Sequence, residues 1–288
     1  MKYLRPTKIV PSEFIRELVK HSEYLHRRIE WDATERPPYA YGTYYSALQA
    51  RALGISKISS IEFGVAGGNG LIALEKIAKE VSEYTSVQVD VYGFDTGVGL
   101  PQSVDYRDLP YAYKRGFYKM DAELLNKKLK TATLILGDVA DTVVKFIKEH
   151  KPSPVGFVAF DLDYYSSTVA ALRLFDTDQS FILPRTYCYF DDTVGDDFDI
   201  HSHYTGELLA IEEFNHNHHN MKLAKIHGLS YKRHIPDVWN EQMYVLHVFD
   251  HKLYKSFIKP HEKDYQKYGS LLDVGDMLNN KKESASAN

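Results

Sequence analysis

The sequence predicts an α/β protein with a Rossmann-like fold, in which a mainly parallel sheet carries helices on both faces. Two observations lead to this prediction. From residue 57 onward, short apolar runs alternate with amphipathic helical segments, and a glycine-rich turn joins the first run to the first helix. No linker rich in Pro, Gly or Ser interrupts this alternation, so we expect one domain over residues 57–250.

Residues 1–56 are expected to form a helical cap that precedes the sheet. Apolar side chains recur at helical spacing from Pro11 and Ser12 onward and again over Thr43–Leu53, so each segment is expected to be a helix. At the other end, residues 251–288 are expected to be a C-terminal extension. Its polar tail, from about Asn279, has the composition of a disordered segment.

Between these ends the pattern gives seven strands and the helices that connect them. The predicted strands are 58–64, 88–95, 131–138, 156–163, 186–192, 221–228 and 241–249, and the predicted helices are 70–84, 139–150, 166–176 and 205–218. Residues 96–121 fit neither pattern and carry many aromatic side chains. A loop of this length and composition favours a lid over an additional packed helix.

Composition excludes several classes of protein. The chain has 288 residues, 26% of them charged, and a net charge of −4, which gives no reason to expect a nucleic-acid partner. Its single cysteine, Cys188, excludes an internal disulfide and is typical of a reducing compartment. No apolar stretch approaches a membrane span, and the N-terminus does not resemble a signal peptide, so we expect a cytoplasmic protein without a membrane partner.

Four aspartates follow two of the predicted strands. Asp161 and Asp163 come after GFVAF, and Asp191 and Asp192 come after TYCYF. Ligands of open α/β sheets bind at the carboxyl ends of strands, where crowded carboxylates repel one another and lose hydration. A divalent cation is the simplest compensation. Any one of these aspartates is equally compatible with a helix cap, but the four together favour a metal-assisted reaction.

A cofactor site is predicted at the glycine-rich turn, because glycines let the backbone approach a ligand. The turn lacks the G-x-G-x-x-G order of nicotinamide cofactors, and Glu62 places an acid at the strand end. An acid there favours a cationic ligand such as S-adenosylmethionine, which carries an ammonium, a sulfonium and no phosphate. The candidate cofactor-binding residues are Glu62, Gly64, Gly67, Gly68, Asp95 for the ribose hydroxyls, Asp138 for the adenine amine, and Asp161.

Four motifs together resemble the macrocin O-methyltransferase family. They are E-F-G-V-A-G-G-N-G from Glu62, F-D-T-G-V-G-L-P from Phe94, D-L-D-Y-Y-S-S-T from Asp161 and F-D-D from Phe190. Members of this family are class I S-adenosylmethionine-dependent enzymes that methylate sugar hydroxyls of natural products. The resemblance implies a seven-stranded sheet with an antiparallel last strand. It also implies O-methylation of a sugar or glycosylated small molecule, in natural-product or polysaccharide biosynthesis.

The resemblance further implies Mg²⁺ bound by Asp161, Asp191 and Asp192. Ligation by carboxylates alone favours magnesium, manganese or calcium over zinc. The sequence departs from the family at Gly97, where an aromatic residue is usual. We therefore expect different packing of the loop at that point.

The general base stays open between two kinds of side chain. Asp163 matches the base proposed for some members, whereas others are thought to use a histidine. His201 and His203 follow the F-D-D segment and are the histidine candidates. Three later histidines, His216, His218 and His219, end a predicted helix and are expected at the surface.

Other functions remain open at this stage. The first is O-methylation of a catechol-like phenol, the second is nucleotide binding without catalysis, and the third is a nicotinamide-dependent dehydrogenase. The sequence predicts a small-molecule or saccharide acceptor without identifying it. It also leaves the oligomeric state open, a homo-oligomer included.

Overall fold

The computed structural model describes residues 12–259. The chain divides into two compact units, residues 1–255 and 256–288, and every helix and strand given below lies in the first. Pro11 and the tail from Asn279, for which the sequence predicted a helix start and disorder, lie outside the described residues.

The described helices and strands follow the predicted alternation. The helices are α1 (Ser12–Val19), α2 (Leu25–Glu30), α3 (Pro37–Ala52), α4 (Asn69–Thr85), α5 (Ala122–Lys128), α6 (Val139–His150), α7 (Tyr165–Leu172), α8 (Gly206–Asn217) and α9 (Leu229–Lys232). The strands are β1 (Lys57–Phe63), β2 (Gln88–Asp95), β3 (Thr133–Leu136), β4 (Val155–Phe160), β5 (Ile182–Phe190), β6 (Met221–Lys225) and β7 (Met243–Val248).

The seven strands form one sheet in the order β3-β2-β1-β4-β5-β7-β6. The pairs from β3 to β5 are parallel, and β7 runs antiparallel to both β5 and β6. The predicted Rossmann-like fold of the class I methyltransferase type is therefore confirmed, including its antiparallel last strand. The strand order reverses between β1 and β4, which is where open α/β sheets bind ligands.

Burial explains why the central strands read as continuous apolar runs. All six residues of β4 are buried, because helices cover both faces of the sheet. Phe157 packs on one face with residues of α3 and α4, and Phe160 packs on the other with Phe175. Fully burying a side chain of this size contributes roughly 1.5–3 kcal/mol to stability, so these central residues fix the position of the strand ends.

The helix α3 starts six residues earlier than the sequence predicted, at Pro37 instead of Thr43. Pro37 stands at the first helical position, where the fixed φ of proline and its missing N–H are compatible with a helix. The helix packs against β4, and a Cβ at Gly42 would lie 2.1 Å from the Phe157 ring. This packing buries Tyr39 and Tyr44 in the core. The predicted domain boundary at residue 57 stays a prediction.

The aromatic loop, residues 96–121, is anchored to the helix that follows the first aspartate pair. Asp108 is fully buried and accepts hydrogen bonds from Val104 N, from Ser166 N and from Ser166 Oγ, at 2.7–3.0 Å. Tyr113 packs with Leu109 and Tyr164 in a small separate cluster. The loop therefore contributes a fixed wall near the strand ends, and its predicted role as a lid stays a prediction.

No helix within residues 12–259 combines the length and the apolar run that crossing a bilayer requires. Cys188 is a free, buried cysteine in β5. The cytoplasmic location expected from the sequence stays a prediction.

Candidate functional site

A cavity of about 670 Å³ opens at the carboxyl ends of the parallel strands. It contains most of the residues that the sequence singled out. The cavity is lined by Glu62, Gly64, Gly67, Asp95, Asp138, Asp161, Asp163, Asp191 and Asp192, whereas Gly68, His201 and His203 are not among its lining residues. Residues from five separate strand ends thus meet in one space, at the edge where open α/β sheets bind ligands.

The glycine turn brings two strand ends unusually close together. Gly64 has a φ of +85°, and a Cβ there would lie 1.7 Å from the carbonyl oxygen of Asp161. A Cβ at Gly70 would lie 1.8 Å from Glu62 Oε1. Gly68 (φ +87°) precedes α4 and faces Leu125, which explains its absence from the cavity wall. Glycine at these positions lets the turn hold Glu62 against the N-terminus of α4.

Glu62 lies beneath this turn with one oxygen bonded and the other unbonded. Its side chain is 1% exposed, and Tyr39 donates a 2.7 Å hydrogen bond to Oε1. Oε2 is buried and has no hydrogen-bond partner among the described residues. Loss of hydration on burial raises the pKa of Glu62 to about 8. An unbonded carboxylate oxygen in a cavity wall fits a ligand that donates hydrogen bonds, such as an ammonium group.

Asp95 and Asp138 lie at neighbouring strand ends and bond to the backbone. Asp95 accepts hydrogen bonds from the backbone N–H groups of Val65, Ala66 and Gly97, at 2.6–3.0 Å. Asp138 caps α6 through a 2.8 Å bond from Ala140 N. Both carboxylates shape the cavity wall, and their predicted contacts with ribose and adenine stay predictions.

The aspartates after β4 and β5 are arranged differently. The side chains of Asp161 and Asp163 accept no hydrogen bond from residues 12–259. Burial, together with the nearby charges of Asp191 and Asp192, raises the pKa of Asp161 well above its usual range. The same causes raise the pKa of Asp163 to about 8. These carboxyls therefore have a stronger tendency to hold protons than exposed aspartates.

A turn after β5 allows Asp191 and Asp192 to face the same cavity. Adjacent residues of a strand point to opposite faces, so Asp191 and Asp192 need a turn to reach one site. The structure provides a 3₁₀ turn over Asp191–Thr193. Asp192 Oδ2 accepts a 2.9 Å hydrogen bond from Asp163 N, which joins the two aspartate pairs. Burial and the charge of Asp191 raise the pKa of Asp192 to about 7.

Glu207 supports this turn and was not predicted from the sequence as a site residue. It is fully buried in the first turn of α8, and its Oε2 accepts a 3.0 Å hydrogen bond from Asp192 N. Burial and the neighbouring Asp192 raise its pKa well above the usual range. The sequence signal was an acid at the start of the predicted helix, which ordinarily indicates a favourable interaction with the helix dipole.

The two candidate histidines differ in their surroundings. His201 is half-buried, and its Nε2 lies 3.4 Å from the hydroxyl of Tyr113, which in turn lies 3.4 Å from Asp192 Oδ1. Burial lowers the pKa of His201. The side chain of His203 is 73% exposed and pairs with Glu212. His201 therefore lies behind Tyr113, one contact away from Asp192, whereas His203 lies at the surface.

The aspartates share a cavity without forming a ready coordination sphere. Within residues 12–259, no set of three or more His, Cys, Asp or Glu side chains is arranged to hold a metal ion. The donor set nevertheless fits a hard cation chemically, because it consists of carboxylates that are buried close together.

Comparisons with known proteins agree with the fold. Neither a protein-family model nor a curated protein sequence matches this chain. Among solved structures, CalS11, a calicheamicin methyltransferase, is 20% identical, covering 86% of this chain and 95% of its own, with a TM-score of 0.51. The O-methyltransferase TomG from Streptomyces achromogenes, solved with SAM, is 14% identical, covering 82% and 93%, with a TM-score of 0.43. At 20% identity, the likeness to CalS11 concerns the fold alone.

Proposed function

We propose that this protein is an S-adenosylmethionine-dependent O-methyltransferase. One observation carries the proposal. A single cavity joins a glycine turn with an unbonded buried carboxylate oxygen, at Glu62, to the four aspartates that follow β4 and β5. The first group fits a cationic nucleoside, and the second fits the activation of a hydroxyl group.

The donor half of the cavity is made of the turn, Glu62, Asp95 and Asp138. Glu62 Oε2, which has no partner among the described residues, accepts a hydrogen bond from the ammonium of the methyl donor. The glycines of the turn have no side chains, so the donor can approach the backbone of the turn closely. The pKa of Glu62 falls again when a positive charge binds beside it, so binding of the donor favours the ionised acid.

The acceptor half positions the hydroxyl and removes its proton. Methyl transfer is an in-line displacement, so the acceptor oxygen must lie behind the methyl group with the sulfur opposite. Asp163, whose carboxylate has no hydrogen bond within residues 12–259, takes the hydroxyl proton in this proposal. A pKa raised to about 8 makes it a stronger base than an exposed aspartate. His201 contacts the acceptor half through Tyr113 and is the second candidate.

We further propose that Asp161, Asp191 and Asp192 hold a divalent metal, with Mg²⁺ as the first choice. Such an ion acidifies and orients a hydroxyl that it binds. What supports the proposal is the raised pKa of each of Asp161 and Asp192, which reflects burial and mutual repulsion that a cation relieves. The resemblance of the D-L-D-Y-Y-S-S-T and F-D-D motifs to the macrocin O-methyltransferase family supports the same ligands.

The proposed acceptor is a hydroxyl of a sugar or a glycosylated small molecule. The motif resemblance supports this class, and so does the fold shared with CalS11, whose name gives it as a calicheamicin methyltransferase. Exposed side chains along the loop beside the cavity, among them Val104, Tyr106 and Tyr118, offer apolar surface for the rest of such a molecule.

Isothermal titration calorimetry with S-adenosylhomocysteine and NAD⁺ tests the donor assignment directly. We expect S-adenosylhomocysteine to bind and NAD⁺ not to bind. Transfer of a labelled methyl group to a panel of glycosides and catechols, by metal-stripped protein with and without Mg²⁺, then tests the acceptor and the metal. Binding of NAD⁺ alone would contradict the function, and full transfer by metal-stripped protein in chelator would contradict only the metal.

A further inference from the structure

Arg36 is the one cationic side chain among the described residues that line the cavity. It lies directly before α3, half-buried, with its guanidinium carbon 5.4 Å from the centroid of the Tyr39 ring. Its guanidinium forms no hydrogen bond or ion pair with any residue in 12–259. All five N–H donors of a guanidinium that faces a ligand cavity are therefore available.

The surroundings of Arg36 keep it charged. Burial lowers the pKa of its guanidinium, but Tyr39 and Glu62 outweigh this effect and the pKa is raised. Tyr39 connects the two charged groups, because its ring lies under Arg36 and its hydroxyl donates to Glu62 Oε1. Arg36 and Glu62 thus occupy adjacent parts of one wall, each with unsatisfied hydrogen-bonding capacity among the described residues.

This pair has the chemistry of a receptor for an α-amino acid. An α-amino acid carries an ammonium and a carboxylate on one carbon, so its two charges match a carboxylate and a guanidinium placed side by side. A phosphate fits less well, because it brings negative charge to Glu62 as well as to Arg36. Arginine is also the side chain best suited to hold a carboxylate through two parallel hydrogen bonds.

We propose that Arg36 binds the carboxylate of the methionine moiety of the methyl donor, while Glu62 Oε2 binds its ammonium. The inference rests on the proposed function and adds a positioning residue to it. Arg36 lies in the segment that leads into α3, and α3 packs on the sheet. The segment before the sheet therefore contributes directly to the donor site. Arg36 also discriminates donors with a carboxylate from those without one.

Calorimetry with two ligands tests the proposal without relying on turnover. The ligands are S-adenosylmethionine and its decarboxylated analogue, which lacks the carboxylate assigned to Arg36. We expect the wild-type protein to bind S-adenosylmethionine about tenfold more tightly or better, as is typical of a charge-assisted bidentate pair. Arg36→Gln should abolish this preference by weakening only S-adenosylmethionine, and Arg36→Lys should retain part of it.

Arg27→Gln is the matched control. The Arg27 guanidinium carbon lies 5.1 Å from the Tyr24 ring centroid, in a similar stacked arrangement, but Arg27 does not line the cavity. Its variant should keep the wild-type preference. Retained binding of the decarboxylated analogue by Arg36→Gln shows that the cavity is intact.

Two results would overturn the inference about Arg36 without contradicting the proposed function. One is equal affinity of the wild-type protein for both ligands, a comparison that needs no variant. The other is loss of both ligands by the same factor in Arg36→Gln, since that pattern indicates a structural role. Failure of the wild-type protein to bind either ligand would overturn the proposed function together with the inference.

Discussion

The two halves of the cavity use the same acidic residue types in opposite ways. In the donor half, Asp95 and Asp138 accept hydrogen bonds from backbone N–H groups, so their charges hold the polypeptide in place. In the acceptor half, the carboxylates of Asp161 and Asp163 accept none from residues 12–259, and Asp192 is the exception there because it accepts one from Asp163 N. An acid that accepts hydrogen bonds from the backbone fixes the shape of the site. A buried acid without such partners is available to bind a ligand or a proton.

Glu62 is the exception in the donor half, because it combines both conditions. Tyr39 donates a hydrogen bond to one of its oxygens, and the other oxygen has no partner within residues 12–259. Whether an acid is available to a ligand therefore depends more on its burial and hydrogen bonds than on the half of the cavity in which it lies. The contrast also separates substitutions that should affect transfer from those that should affect donor binding.

The largest effect is expected from Asp163→Asn. Loss of a general base lowers kcat by about 10²–10⁴-fold, while the affinity for S-adenosylhomocysteine should stay within about twofold. Asparagine tolerates the left-handed backbone at this position (φ +58°), so the turn is preserved. Asp197→Asn, in an exposed stretch of the loop after β5, is the control and should behave as wild type. A fully active Asp163→Asn variant would remove Asp163 from the mechanism.

The second largest effect is expected from Gly70→Ala. Its new Cβ would lie 1.8 Å from Glu62 Oε1, so Glu62 or α4 must move. We expect a loss of about 1–3 kcal/mol of stability and about tenfold weaker binding of S-adenosylhomocysteine. Gly67→Ala is the control for stability, because nothing lies within 4 Å of a Cβ there, and its Tm should be unchanged. Equal Tm values for both variants would contradict the role of Gly70 in seating Glu62.

A smaller effect concerns the pH dependence of stability. The pKa of Glu62 is about 8 in the folded protein and 4.5 without the fold. Between these values the folded state keeps a proton that the unfolded chain has lost, so stability falls as pH rises and levels off above pH 8. Glu62→Gln cannot titrate, so its Tm should fall less steeply from pH 5 to pH 8 without ligand. Parallel curves for wild type and variant would show that Glu62 is already ionised.

The smallest effects are expected from substitutions of the histidines. These effects show how far the acceptor half extends from the aspartates. His201→Gln loses the contact with Tyr113, which itself contacts Asp192, and should lower kcat by about tenfold or less. His203→Gln should change kcat by less than about twofold, because His203 is exposed and pairs with Glu212 at the surface. Steady-state kinetics of the two variants side by side checks both values. A larger loss at His203 would mean that the acceptor half extends to the surface.

Much of the fold followed from the sequence because its signals are local. Strand β2 and helix α6 occur at the predicted residues, since period and capping residues act within a few positions. The start of α3 was misplaced because Pro37 was not recognised as a helix start. Tyr39 and Tyr44 lie on the buried face of this helix, and burial is decided by what packs against a helix.

Prediction of the site was similarly divided. The strand-end rule placed Glu62, Asp161 and Asp192 in one cavity, since parallel strands end at the same edge of a sheet. Nothing local distinguishes Arg36 from the other arginines of the N-terminal segment. The same holds for Glu207, whose position in a first helical turn has an ordinary explanation. These residues reach the site only through contacts between distant segments.

The sequence by itself determined that strands and helices alternate, where each strand ends, and which acidic residues stand at those ends. Only the tertiary structure decided which of these acids accept hydrogen bonds from the backbone and which have oxygens available to a ligand. The physical reason is that periodicity and turn chemistry act over a few residues, whereas desolvation and unsatisfied hydrogen bonds depend on every segment that meets at the cavity. Glu62 Oε2 and the guanidinium of Arg36, which have no hydrogen-bond partner among the described residues, owe this state to the way those segments pack together.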